Sequence, residues 1–137
     1  LKEWGIEKTN QYFSKWNELS NTILVEGNYI DLFKTSDAMI HDCSSFSVEY
    51  LYVNKPVMYI TKENHLDFLC DFGKMAFSMH YKGSTLDDIE NFLNVVVING
   101  DDPMRAQRED FIMEYLILPD GESVARIMFD EIVRYLK

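Results

Sequence analysis

Apolar positions along the chain change period several times, and those changes mark its elements. Over residues 3–19, Tyr12, Phe13, Trp16 and Leu19 recur at helical spacing, and the β-branched run "NTILVE" after them predicts a short strand. Tyr29, Leu32 and Phe33 then share one face of a brief helix, and Ala38 to His41 predict the next strand. That strand breaks at Asp42. From Ser45 to Val53 the pattern is helical again, with Phe46, Tyr50 and Val53 at i, i+4 and i+7, until "NKP" ends it. "VMYI", after Pro56, is a continuous apolar run of the kind buried on both faces in a parallel sheet. Strand, helix and strand in such close succession predict a βαβ unit with a right-handed crossover, and hence an α/β fold.

The pattern is weaker beyond this unit. "TKENHLDFLCDFGKMAFSMHY" has no clean period and predicts a loop with short pieces, a usual place for a segment that covers a ligand. Ser84 or Thr85, with Asp87 or Asp88 three residues on, resembles a helix cap, and Ile89, Phe92, Leu93 and Val96 form the stripe of the helix it opens. "NGDDP" is a break, with Pro103 suited to the first turn of a helix running from about 103 to 117. After the turn "LPDGES", a last helix reaches Leu136 with Val124, Ile127, Ile132 and Tyr135 among its apolar positions. Neither an internal repeat nor a low-complexity linker interrupts the series.

Composition makes this one expected domain. The chain has 137 residues, 47% hydrophobic and 14% aromatic, enough for a core. Thirteen basic residues against twenty-three acidic give a net charge of −10, which argues against a nucleic-acid partner and against bulk attraction to an anionic membrane. Cys43 and Cys70 lie far apart without a CxxC pair, so a disulfide framework and a zinc motif are both unsupported, and a reducing, cytoplasmic setting is expected. No apolar run is long enough to span a membrane. Because the chain opens on Leu1 rather than Met, a piece of a longer protein is expected.

Candidate chemistry gathers at the corner "HDCSSF", between the strand ending at His41 and the helix after it. In open α/β sheets ligands bind outside the carboxyl ends of the strands, where a helix start offers unpaired N–H groups and a positive dipole end. Ser44 and Ser45 fit a phosphate there, being small and carrying hydroxyl donors. Glu49 follows Ser45 by four residues, on the same helix face with Cβ atoms about 5–6 Å apart, and suits ribose hydroxyls. Simple capping by serine explains the same residues, with Glu49 a solvated helix residue.

Other chemistries lack their motifs. Cys43 as a phosphatase-type nucleophile would need an arginine where Glu49 stands, and a serine-hydrolase elbow would need glycines that the corner does not have. Neither GxGxxG nor GxxxxGK[ST] occurs. A metal on His41, Asp42 and Cys43 is disfavoured because neighbouring strand residues point to opposite faces. His65 and His80 read as loop or core histidines, although His80, beside Tyr81, could reach a pocket under a folded-over loop. Packing is the default account of Trp4, Trp16 and the seven Met residues, and part of the last helix's stripe is a candidate face for a neighbouring domain.

With the corner in place, "YIDLFKTSDAMIHDCSSFSVEYLYVNKPVMYI" resembles the nucleotide-binding region of the CDP-glycerol glycerophosphotransferase family, transferases of teichoic acid and some capsular polymer synthesis. Its pattern matches Asp31 before a short helix, Ser36 with Asp37, the strand from Ala38 to Ile40, Asp42 with Ser44 and Ser45, Phe46, Glu49, and Lys55 with Pro56. The match thins to a glycine and a tyrosine-containing segment near Gly73 to Tyr81, and to Gly121 and Arg126. Cys43 departs from the family's more usual aromatic, and Glu49 replaces Asp while keeping the carboxylate.

The resemblance implies a Rossmann-like parallel sheet flanked by helices, the C-terminal, donor-binding half of a two-Rossmann-domain glycosyltransferase of GT-B type. It implies a donor diphosphate on Ser44 and Ser45 and a ribose on Glu49, with Asp42, Asp31, Ser36 and Asp37 supporting the site. No metal and no cofactor are expected. A glycerophosphoryl or similar group would pass from CDP-glycerol to a polymer hydroxyl, and the fragment alone is expected to be inactive. Its partners would be the donor and an N-terminal domain that carries the catalytic histidine and the acceptor site, in a parent at the inner face of the cell membrane. No catalytic base can be nominated in this chain. A nucleotide-sugar glycosyltransferase or epimerase half, and a non-catalytic binding module, remain alternatives.

Overall fold

In a computed structural model, residues 4–62, 64, 66–118 and 122–136 are described; His65 and Gly121 lie outside them. The described residues divide into two units, one ending at Thr35 and the other beginning at Ser36.

The first unit holds two helices, α1 (Gly5–Glu18) and α2 (Ile30–Thr35). Along α1 the expected stripe is an aromatic row, with Tyr12 meeting Trp4 at 5.5 Å and Trp16 at 6.1 Å, edge to face. None of its residues is buried. The strand expected from "NTILVE" does not form. β-Branched residues favour extended backbone, but a strand needs a neighbour to take its ladder bonds, and these residues have none among those described. Tyr29, just before α2, and Phe33 within it meet at 4.9 Å, as their spacing predicts.

The second unit is mixed α/β around a three-stranded parallel sheet of order β1-β2-β3. β1 (Met39–His41) leads through α3 (Phe46–Glu49) and a 3₁₀ turn (Tyr50–Val53) to β2 (Val57–Ile60), the expected βαβ unit. The helix is split because it tightens over its last four residues, ending at Asn54 in the left-handed region at φ 49°. The stretch read as loop contains α4 (Asp71–Ser78), and β3 (Tyr81–Gly83) begins at its last residue, so a second βαβ unit follows the first. α4 is only eight residues long with Gly73 inside, too short and too interrupted for a period to show.

Register sorts the side chains. Met39, Ile40 and His41 lie opposite Val57, Met58 and Tyr59, and Met58, Tyr59 and Ile60 opposite Tyr81, Lys82 and Gly83. Alternation therefore puts Met58, Ile60 and Tyr81 on one face, against Phe92 and Val96, and His41 and Tyr59 on the other, against Phe77. Helices thus cover both faces, as the apolar run of β2 predicts.

α5 (Leu86–Asn91) opens with the expected cap: the Asp88 amide donates to the Thr85 hydroxyl at 3.2 Å, and the Asp88 carboxylate accepts from the Ser84 and Thr85 amides at 2.8 and 2.9 Å. A π-helical segment, Phe92–Ile98, continues it. α6 (Arg105–Tyr115) starts two residues after Pro103, and α7 (Val124–Tyr135) is the last element described. α7 buries none of its residues, leaving Val124, Met128, Phe129 and Ile132 exposed.

Gly83 is closely packed. A Cβ there would lie 3.0 Å from Asp88 Cβ and 3.1 Å from Met58 Sδ. Gly83→Ala is expected to destabilise by about 1–3 kcal/mol through overpacking between β3 and the start of α5. An unchanged urea midpoint would show that the Met58 side chain yields freely.

Candidate functional site

The corner follows the carboxyl end of β1. Ser44 turns the chain: its carbonyl accepts from the Ser47 hydroxyl at 2.6 Å and the Ser47 amide at 3.3 Å, and Ser47 is buried. Ser45 stands at helical φ −64°, ψ −34° and makes no side-chain cap, its hydroxyl instead donating to Cys43 Sγ at 3.5 Å. Ser44, Ser45 and Glu49 are all exposed. Thus the capping explanation of Ser45 does not hold, and this exposed residue stands on a turn that the backbone and Ser47 fix.

Asp42 and Lys62 pair across the ends of β1 and β2 at 2.6 Å, with Lys62 Nζ donating. This hydrogen bond and the charge of Lys62 hold the Asp42 carboxyl below its usual range and raise the Lys62 ammonium. Both side chains are exposed, so the pair stabilises little and can rearrange around a ligand. Lys62 had no signal in the sequence, because only the parallel register brings the two strand ends together.

Within the second unit, two other singled-out residues lie away from the serines. Ser36 and Asp37 precede the amino end of β1, whereas the serine corner follows its carboxyl end. Ser36 supports the fold: its hydroxyl shares a hydrogen bond with Tyr50 at 2.9 Å, and its carbonyl accepts from Lys55 Nζ at 2.5 Å. Asp37 lines a cleft of about 580 Å³ with Asn54, Lys55, Val97 and Asp102. Asp31 belongs to the first unit, where its carbonyl accepts from the Thr35 hydroxyl.

Two buried polar clusters went unread in the sequence. Beneath the corner, His41 and His80 meet at 5.2 Å between ring centroids, walled by Tyr59 and Phe77. His41 Nδ1 bonds the Cys43 carbonyl and His80 Nδ1 the Ala76 carbonyl, each at 2.9 Å. Burial lowers the pKa of both, that of His80 to about 4. His80 is thus a core residue at the end of α4, 2% exposed, and not a pocket residue.

The second cluster ties α6 to the end of the corner helix. Arg108, fully buried, donates from Nη2 to Asp102 at 2.5 Å and from Nε to Asn54 at 3.2 Å, while Tyr81 donates to Asp102 at 2.7 Å. Burial pushes the Asp102 carboxyl up, but hydrogen bonds from Arg108 and Tyr81 outweigh it and leave the pKa lowered. Burial and the Asp102 bond raise the Tyr81 hydroxyl to about 12. An arginine in a polar-looking helix gives no sequence sign of burial.

Among the described residues, no group of three or more His, Cys, Asp or Glu could hold a metal, and no helix is long and apolar enough to cross a membrane. Comparison with curated proteins and with solved structures returned no match. The profile of one protein family does match, over residues 7–133, and so takes in the serine corner, both buried clusters and most of α7. The family is described as CDP-glycerol:poly(glycerophosphate) glycerophosphotransferase, and with nearly the whole chain inside the match, this chain belongs to it.

Proposed function

We propose that the chain is the donor-binding part of a glycerophosphotransferase, with the diphosphate of CDP-glycerol resting on Ser44, Ser45 and the amino end of α3. The observation that carries this reading is the exposed Ser45, whose hydroxyl does not cap its helix, on a backbone-fixed turn at the carboxyl end of a parallel strand. Family membership supplies the reaction class: a glycerophosphoryl group passes to a hydroxyl of the growing polymer and cytidine monophosphate leaves. The amino end of α3 and the hydroxyls would meet the charge gathering on the leaving phosphate, already oriented before reaction. Lys62 adds a cation at the same end of the sheet, and Glu49, one turn on, accepts from the ribose hydroxyls.

In this reading the chain is the C-terminal Rossmann-like half of a GT-B transferase working at the cytoplasmic face of the membrane. The acceptor site and the general base belong to an N-terminal half, and the exposed apolar side chains of α7 are consistent with a neighbouring domain. A heteronuclear NMR titration with CDP-glycerol, CMP and UMP tests the donor site. Saturable shifts at residues 42–49 are expected for the cytidine ligands. Ser45→Ala and Glu49→Ala should each weaken them about 10-fold or more, the usual loss for a hydrogen bond to a charged group. Shifts that ignore both substitutions would remove the site.

A further inference from the structure

We propose that His41 is a positioning residue of the 42–45 corner, and that its buried contact with His80 makes the corner's geometry respond to protons. The inference deepens the donor-site reading and rests on it for its functional meaning. A carbonyl oxygen only accepts, so the 2.9 Å bond from His41 to the Cys43 carbonyl places the ring proton on Nδ1. The same logic applies to His80 and the Ala76 carbonyl. Each Nε2 is then a bare lone pair, and both are buried without a partner.

Among the described residues, nothing around the pair is arranged to receive a second proton. Tyr59 presents its ring to His41 edge-on at 5.3 Å, and Phe77 stacks on His80 at 5.3 Å. Arg108 from α6 and Lys82 from β3 both act on His80 as like charges once it is protonated. Asp42 favours a charged His41 but is paired with Lys62, and Cys43 Sγ lies 3.9 Å from the nitrogen that is already protonated. A proton on His41 Nε2 would create a buried donor with no acceptor within hydrogen-bond reach, next to a second imidazole. Relief comes when the ring swings out, and the Cys43 carbonyl then loses its donor. Ser44 and Ser45 follow directly in the chain, so the turn that presents their hydroxyls loosens.

The test uses the ligand-free chain, so its failure is separate from any failure of nucleotide binding. Two-dimensional NMR spectra are recorded from about pH 8 to about pH 5, across the ordinary histidine range. The imidazole of His41 and the amides of Cys43, Ser44 and Ser45 are expected to shift with one common midpoint below the ordinary histidine value, while amides of α5 stay fixed. His41→Asn, whose side-chain N–H can reproduce the donor without titrating, should leave the three amides still. Corner amides that keep titrating in His41→Asn, or that follow only the lower carboxylate midpoint of Asp42, would overturn the proposal. So would corner amides that move only together with the whole spectrum, as the chain unfolds, with no separate step of their own. Should the variant not fold, the wild-type titration decides alone.

Discussion

Asp102→Ala is expected to reduce the unfolding free energy by about 3–5 kcal/mol, the range for breaking a buried ion pair from one side. Arg108 has no exposed surface in its side chain, and Asp102 only 10%. Removing the carboxylate strands a guanidinium whose Nη1 already has no partner, and it also takes the acceptor from the Tyr81 hydroxyl. Asn54 would remain on Nε, a single neutral acceptor for a buried cation. Urea unfolding followed by circular dichroism measures the loss. A decrease under about 1 kcal/mol would show that water reaches Arg108 once Asp102 is gone. The double variant Asp102→Leu, Arg108→Met should recover most of the stability, since apolar replacement of a whole buried pair is often neutral.

Acidification should weaken the fold in a window set by His80. Its unfolded imidazole binds a proton near 6.5, whereas the buried one resists until about 4, so between those values the unfolded chain holds more protons. Stability is therefore full above about pH 6.5 and declines as pH falls toward 4, by on the order of 3 kcal/mol in all. His41 contributes in the same direction, its pKa being lowered by burial. The lowered carboxyl of Asp102 acts in a separate range: its stabilisation is present above the ordinary carboxylate value and is lost as pH falls through the folded one. Urea midpoints measured at successive pH values should show the histidine step first, and His80→Gln should flatten it. A wild-type profile level between pH 6.5 and 4 would mean that solvent or an acceptor reaches His80 Nε2.

Sequence alone revealed the elements that obey one simple rule each. The apolar run of β2, the proline after Lys55 and the Thr85–Asp88 box are local signals, and the structure contains the strand, the helix end and the cap they predict. "NTILVE" misled because extended propensity says nothing about a partner, and α4 stayed hidden because two turns of helix interrupted by Gly73 show no period. The serine corner was legible from its place between strand and helix. Its floor was not: His41 meets His80 only because β1, β2 and α4 fold together, and Lys62 meets Asp42 only through strand register. The resemblance gave Ser36 and Asp37 a supporting role, and they precede a strand of three residues that the serines follow.

α7 holds its shape by local means. Its Ser123 cap, the Arg126–Asp130 and Glu131–Arg134 pairs and its intrinsic propensity sustain it while none of its residues is buried. A helix of 12 residues on such support is marginal in water, and each exposed pair adds only a few tenths of a kcal/mol. Heating is therefore expected to melt this chain in layers, the far-ultraviolet helix signal starting to fall while the packing around Tyr59 and Phe77 is still intact. A single melting temperature would average a fraying helix with a cooperative sheet and describe neither.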